Sequence, residues 1–178
     1  MSSALLAMAC STQDPEPGQS ETEPAEVENP GAMTLAELDR LIRRVDAGAT
    51  RENNVWRLSY EETPLFVVTD EHHDRMRIIA PVASANELDL EHIYRLLQAN
   101  YETALDARYA IADRVVWSTF IHPLSPLDED EFLSGLAQTI TLVITYGTTF
   151  SSGALRFGDA GDAGSSTYND VIRKGSEI

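Results

Sequence analysis

The fold class follows from one stretch of the chain, RYAIADRVVWSTFI at residues 108–121. Apolar residues at 109–111 lead into a polar turn at 112–114, and the run from Val115 to Ile121 is rich in β-branched and aromatic residues. This order predicts a β-hairpin. Three more short strands are predicted upstream, at 55–60, 65–68 and 75–80, the last ended by proline. Because the turns between them are short, neighbouring strands are expected to be antiparallel.

Three helices complete the predicted domain. Thr34 and Glu37 form a capping-box pattern at the start of a helix of about 34–47. A second helix is predicted to begin near Asp89, and a third near Asp128, with Glu131 in its first turn. The resulting order is α-β-β-β-α-β-β-α, which predicts an α+β domain with an antiparallel sheet packed against helices.

Charge and length exclude several function classes. The 178 residues include 13 Lys and Arg against 29 Asp and Glu, giving a net charge of −16. Such acidity disfavours nucleic-acid binding, which depends on positive charge to replace counterions. No apolar run approaches the ~20 residues of a membrane-spanning helix, so no transmembrane segment is predicted. A single cysteine excludes an intramolecular disulfide framework and a zinc site built from several thiolates.

The charge is unevenly distributed and suggests three regions. Residues 1–32 hold six acids, no base and four prolines, and are predicted to be a disordered acidic segment. Residues 33–157 hold 19 acids and 11 bases and are predicted to form the α+β domain. Residues 158–178, which begin with a Gly/Ser/Asp stretch, are predicted to be a flexible tail.

The N-terminus leaves two locations open. Residues 1–9 are a short, mostly apolar run before Cys10, similar to the end of a bacterial lipoprotein signal, which makes Cys10 a candidate lipidation site. The run has no positively charged start, and Ala7 stands where such signals usually have leucine. A cytoplasmic location is therefore predicted, with a lipid anchor in the bacterial envelope as the alternative.

No catalytic, cofactor or metal site is predicted. The segment Gly147–Gly153 lacks the lysine of a phosphate-binding loop and is interpreted as the end of the third helix. Adjacent His72 and His73 lie in a predicted turn without the spacing of a metal-binding motif. The chain is thus predicted not to be an enzyme, and a small metal-dependent enzyme using His72 and His73 is the less favoured alternative.

Surplus apolar residues suggest a binding surface. The predicted strand 115–121 is apolar on both faces, and the apolar stripe of the second helix spans about half its circumference, more than one sheet face requires. Together these features predict a partner or dimer surface. Its candidate residues are Tyr94, Leu96, Leu105, Val116, Trp117 and Phe120.

Three motifs carry a resemblance to a known fold: RMR at 75–77, LLQAN at 96–100 and RYAIAD at 108–113. With the element order, they resemble the type III secretion chaperone-like fold and, within it, the YbjN-type family of sensory-transduction regulators, over about residues 33–150. The resemblance implies a small acidic protein, commonly a homodimer, that binds other polypeptides without ATP, and it supplies no catalytic residues. The acidic segment before the first helix departs from secretion chaperones and favours an accessory or regulatory role. The expected function is therefore a non-enzymatic, chaperone-like or regulatory module that binds a protein or peptide partner.

Overall fold

The structure is a computed structural model that describes residues 31–152 and 165–176. The helices are α1 (Leu35–Val45), α2 (Leu90–Glu102), α3 (Glu129–Ile144) and α4 (Ser165–Ser176), with a 3₁₀ turn at Ala85–Glu87. The strands are β1 (Thr50–Glu52), β2 (Val55–Tyr60), β3 (Thr63–Asp70), β4 (Arg75–Ser84), β5 (Arg108–Ala112) and β6 (Val115–His122).

The strands form one antiparallel sheet in the order β1-β2-β3-β4-β6-β5. The predicted hairpin is confirmed as β5 and β6, in which Tyr109 lies opposite Ser118. Strand β6 also pairs with β4, where Ile78 lies opposite Phe120. The sheet therefore joins the predicted hairpin to the predicted three-stranded meander, and the α+β fold class is confirmed.

One face of the sheet forms the core. Buried residues alternate with more exposed ones along the long strands, as the two-residue period of a strand requires. The buried face carries Trp56, Leu58, Leu65, Val67, Met76, Ile78, Ala80, Val116 and Phe120. Helices α1 and α3 pack on this face, α4 packs on α1 and α3, and α2 lies against β5 at the sheet edge. The opposite face carries no helix among the described residues.

Helix α3 is buried around most of its circumference. An apolar stripe runs along it through Phe132, Leu136 and Ile140, and all three are fully buried. The polar residues of this helix are buried as well. Thr139 and Thr141 satisfy their hydroxyls by donating to the carbonyl oxygens four residues earlier, at 2.8 Å in each case. This burial is possible because the sheet covers one side of α3 and α4 covers another.

Two strands differ from the prediction. Strand β1 has only three residues, all exposed, and was not predicted. Strand β4 continues past Pro81 to Ser84, whereas proline was expected to end it. The pairing with β6 shifts register between Pro81 and Ala83, which is a β-bulge. A bulge is one of the places where a strand accepts a proline.

The predicted flexible tail is corrected over part of its length. Residues 165–176 form helix α4, in which Val171 is fully buried. Gly175 lies so close to the side chain of Leu133 on α3 that no larger residue fits without a shift. Residues 153–164 and 177–178 lie outside the described residues, as do residues 1–30 of the acidic segment.

A polar contact fixes α4 to the sheet edge. The Asp170 carboxylate accepts a hydrogen bond from the Tyr60 hydroxyl, and the Lys174 ammonium lies 3.0 Å from Asp170 Oδ2 and 4.5 Å from the centre of the Tyr60 ring. The hydrogen bond from Tyr60, followed by those from Arg173 and Lys174, lowers the pKa of Asp170 well below its usual range. The ionised carboxylate is therefore the form that stabilises the docked helix.

We expect Asp170→Asn to lower stability at pH 7 and to lose this effect in acid. Since the folded-state pKa is lower than the unfolded one, the carboxylate stabilises the fold fully above about pH 4, and its contribution declines as the pH falls below that value. Urea unfolding of both proteins at pH 7 and at progressively lower pH measures the difference. Asp113→Asn, in the exposed β5–β6 turn, is the control and should show no such dependence. A pH-independent difference for Asp170→Asn would contradict the assignment.

Candidate protein-binding surfaces

Helix α2 presents an apolar stripe to solvent. Its side chains are between 60% and 92% exposed, and their spacing of three to four residues places them on one side of the helix. We call them the α2 stripe: Leu90, Tyr94, Leu97 and Tyr101. On the other side of the helix, Leu96 and Ala99 are buried in the core. The breadth of the apolar surface predicted for this helix thus reflects a buried side and an exposed side.

Asn100 ties α2 to the edge strand. Its side-chain nitrogen donates to the Tyr109 carbonyl at 3.0 Å, and its side-chain oxygen accepts from the Tyr109 N–H at 2.7 Å. The amide thereby replaces a neighbouring strand at this residue of β5, where backbone groups would otherwise be unpaired. Asn100 occurs in one of the motifs that carry the family resemblance, but its structural role was not predicted. The helix is consequently held at a fixed position beside the sheet edge.

The α2 stripe continues onto β5. Ile111 is half exposed, and a cavity of about 250 Å³ lies between the helix and the strand. The cavity is lined by Ile93, Leu96, Leu97, Asn100, Tyr109, Ala110 and Ile111. The helix stripe and the strand edge together form a continuous, largely apolar surface with a recess at its centre.

The six residues predicted to form a partner or dimer surface occupy different places. Leu96, Val116 and Phe120 are at most 5% exposed and belong to the core, so their assignment to a surface is corrected. The reason is that α3 covers the face of β6 from which Val116 and Phe120 project. Tyr94 lies in the α2 stripe, and the remaining two residues, Leu105 and Trp117, are half-buried.

Trp117 belongs to a second surface, the helix-free side of the sheet. We call this side the open sheet face, and its residues are Arg57, Phe66, Val68, Arg75, Arg77, Ile79, Arg108, Trp117, Thr119 and Ile121. A groove of about 780 Å³ runs across its middle strands. The Trp117 indole N–H donates to the Ala112 carbonyl at 3.2 Å, which holds the ring across the β5–β6 hairpin. The apolar residues on both faces of β6 are thus divided between the core and this groove.

The histidine pair of the alternative prediction lies in the exposed β3–β4 turn. The rings of His72 and His73 are 4.8 Å apart in an edge-to-face arrangement, and His73 Nδ1 is 2.7 Å from a carboxylate oxygen of Asp70. That hydrogen bond lowers the pKa of Asp70. Within residues 31–152 and 165–176, no group of three or more His, Cys, Asp or Glu side chains is arranged to hold a metal ion.

Two further predictions concern membranes. Among the helices that the structure describes, none is long and apolar enough to cross a bilayer. Cys10, the candidate lipidation site, lies outside the described residues.

Comparison with known proteins supports the fold. No protein-family model and no curated protein matches the chain. Among solved structures, it is similar to a chain in the crystal structure of the ExsC–ExsE complex, with a TM-score of 0.52 and 12% sequence identity. The match covers 71% of this chain and 99% of that chain. The likeness confirms the α+β fold, and the YbjN-type family assignment stays a prediction.

Proposed function

We propose that this protein is a non-enzymatic, chaperone-like or regulatory module that forms a homodimer through the α2 stripe and binds a polypeptide partner. The observation that carries the proposal is the exposure of two leucines and two tyrosines in one line on α2, beside the half-exposed Ile111 of β5. Burying a large apolar side chain contributes about 1.5–3 kcal/mol, so covering this surface would be strongly favourable.

The form of the surface favours a second copy of the chain as its partner. A two-fold dimer uses the same patch on both subunits, and a straight stripe on one helix can pack against its own copy. Beside the stripe, Arg95, Gln98 and Glu102 bond to one another: Gln98 accepts from Arg95 at 3.2 Å and donates to Glu102 at 2.8 Å. These side chains provide a polar rim next to an apolar centre, which is the usual anatomy of an interface.

The dimer is tested by placing a charge in the stripe. In the full chain, we expect Leu97→Asp to raise the dimer dissociation constant by at least about 30-fold, the effect of losing about 2 kcal/mol at an interface centre. The substitution puts a carboxylate where an apolar contact is needed. Light scattering coupled to size-exclusion chromatography over a concentration series measures the change.

Ile144→Asp is the matched control. Ile144 is also partly exposed, but it lies at the end of α3, outside the α2 stripe. Its replacement should leave the dissociation constant within about twofold of the wild-type value, because surface changes outside an interface have small effects. A wild-type chain that stays monomeric at high concentration would refute the dimer, as would equal weakening by the two variants.

Support for a polypeptide partner comes from the fold alone. The similar solved structure is a complex of two named components, and this chain shares the fold of one chain in that complex. Affinity capture with the full chain, followed by mass spectrometry and reconstitution of the purified pair, would identify a partner. A candidate counts only if the purified components bind and if a change in the α2 stripe or on the open sheet face weakens that binding. Failure of every captured protein on these two criteria would refute the proposed binding role.

For location, we propose the cytoplasm, with a lipid anchor in the bacterial envelope as the alternative. Mass spectrometry of the native N-terminus distinguishes them. An acylated Cys10 would establish the envelope form, whereas an unmodified chain that retains residues 1–9 would support the cytoplasmic one.

A further inference from the structure

The open sheet face gathers positive charge in an acidic protein. It presents Arg57, Arg75, Arg77 and Arg108, four of the 13 Lys and Arg residues of a chain whose net charge is −16. The pairing of the strands puts Val68, Arg77 and Ile121 in one row and Phe66, Ile79, Thr119 and Arg108 in the next. Cations and apolar side chains therefore share one face, and Arg75 and Arg77 line its groove.

The central arginines have no carboxylate partner among the described residues. Arg75 Nη1 donates to the Asp74 carbonyl at 2.9 Å, and neither Arg75 nor Arg77 forms an ion pair with residues 31–152 or 165–176. Two acids at this face are already engaged: Glu52 lies 3.6 Å from Arg57, and Asp70, which lines the groove, bonds to His73. A guanidinium presents a planar fork of donors suited to a carboxylate. The groove is thus suited to an acidic chain with apolar residues.

The chain itself contains such a segment. Residues 14–28 carry Asp14, Glu16, Glu21, Glu23, Glu26 and Glu28, with no lysine or arginine. The same residues include three prolines, whose rings can pack on a half-buried indole such as that of Trp117. Charge and apolar character both complement the open sheet face.

The stretch that contains residues 14–28 also joins the domain at the end of the sheet where Arg75 lies. The Met33 N–H donates to the Ser125 carbonyl at 3.1 Å. In turn, the Ser125 N–H and hydroxyl donate to the Asp74 carboxylate at 2.6 and 2.8 Å. Asp74 directly precedes Arg75, the first residue of β4. The segment therefore enters beside the end of the groove where the unpaired arginines lie.

Its length is sufficient to cross the sheet. Fifteen residues extend to at most about 50 Å, and the five residue-to-residue steps from Glu28 to Met33 span at most about 17 Å. Six strands spaced at about 4.8 Å make a sheet about 24 Å wide. The acids nearest the domain can reach the first arginines, and the remainder can follow the groove.

We infer that residues 14–28 dock in cis on the open sheet face, with their carboxylates paired to Arg75 and Arg77 and their prolines against Trp117. The occupied surface is distinct from the α2 stripe, so the inference does not depend on the proposed dimer. Docking would make the chain's own segment the competitor of any other acidic polypeptide for this groove.

A paramagnetic label tests the inference in the full chain. The single native cysteine allows a clean design, in which Cys10→Ser is combined with Ser20→Cys and a nitroxide is attached at position 20. We expect the backbone amide signals of Val68, Arg77 and Thr119 to lose most of their intensity, relative to the same sample after reduction of the nitroxide. Amides on the far side of α3 should keep theirs.

Two changes should abolish this loss. Arg75→Gln combined with Arg77→Gln removes the charges, and NaCl at about 1 M reduces the range of electrostatic attraction to about 3 Å. The matched control, Arg40→Gln combined with Arg114→Gln, removes two exposed arginines that do not line the groove and should leave the broadening intact.

The outcomes separate the possible occupants. Broadening within one chain that requires Arg75 and Arg77 supports docking in cis. A second sample mixes ¹⁵N chains that carry no nitroxide with nitroxide-bearing chains that carry no ¹⁵N. Broadening there as strong as in the sample whose ¹⁵N chains carry their own nitroxide would assign the segment to a second copy and overturn the inference. Absence of broadening on the open sheet face would also overturn it and leave the groove to an acidic partner. Broadening unaffected by the arginine variant would contradict the charge pairing.

Discussion

Replacing Trp56 by alanine is expected to lower the free energy of unfolding by about 3–5 kcal/mol, the usual loss when a large aromatic side chain is removed from a core. Trp56 is fully buried on the helix-covered face of the sheet. Its indole N–H donates to Asp39 on α1 at 2.8 Å, and the guanidinium of Arg51 lies 4.3 Å from the ring centre. The substitution would therefore leave a cavity and remove a polar link between α1 and β2. Total stabilities are typically about 5–15 kcal/mol, so the loss is a large fraction.

Trp117→Ala is the matched comparison, because the two tryptophans lie on opposite faces of one sheet. Trp117 is half-buried on the open sheet face, and its removal leaves no enclosed cavity. Urea unfolding followed by far-ultraviolet circular dichroism measures both variants. We expect Trp117→Ala to lower the free energy of unfolding by less than half as much as Trp56→Ala. Equal losses would mean that both faces are covered to the same extent, contrary to the fold described above.

Replacing Gly135 by leucine is expected to lower the free energy of unfolding by about 1–3 kcal/mol or more, through overpacking. Replacing a glycine inside a helix by a better helix former ordinarily raises the stability of the protein by up to about 1 kcal/mol. Here a β-carbon on Gly135 would lie 2.6 Å from two carbons of the Phe120 ring. Phe120 is buried on β6, so its ring cannot swing into solvent. The close approach of α3 to β6 therefore requires a residue without a side chain.

A double-mutant cycle identifies the cause of that loss. Gly135→Leu, Phe120→Ala and the combined variant are compared by urea unfolding. If the Phe120 ring is the obstacle, the combined variant should be more stable than the sum of the single effects predicts, with a coupling of about 0.5–3 kcal/mol. Strictly additive losses would show that Gly135 is needed for another reason.

The starts of the helices were predictable because their signals are local. The capping box of Thr34 and Glu37 is present, and Asp89 and Asp128 each accept a hydrogen bond from the backbone N–H three residues later. These motifs act within one turn of helix and need no tertiary contact. The same holds for the strand alternation of Val55–Tyr60, which gives the buried side of β2 directly.

Strand β1 and helix α4 were not predictable from local patterns. Three residues are too few for a two-residue period to be recognised, and β1 exists because it pairs with β2. Helix α4 begins in a Ser-rich stretch that is a weak helix former, and its stability comes from docking. Burial of Val171, the close packing of Gly175 on Leu133 and the contact between Asp170 and Tyr60 hold it in place. All of these contacts join residues distant in sequence.

The exposed apolar surfaces were predicted in part. The sequence identified a surplus of apolar residues on the second helix and on the strand of Trp117, and both elements do carry apolar side chains beyond the core. It did not identify which residues these are. The stripe from Leu90 to Tyr101 is more exposed than the predicted set, whereas Val116 and Phe120 are core residues.

The sequence by itself therefore determined most of the elements, the antiparallel grouping of most strands and the excess of apolar surface, since periodicity and capping are properties of neighbouring residues. The tertiary structure alone decided which apolar face is covered. Strand β6 is apolar on both sides, and its own sequence does not distinguish them. Only the placement of α3, allowed by Gly135 and supported by α4, covers Phe120 and leaves Trp117 on the same open face as four arginines. Whether a second layer covers a given sheet face depends on packing between segments distant in sequence, and local sequence patterns do not encode that packing.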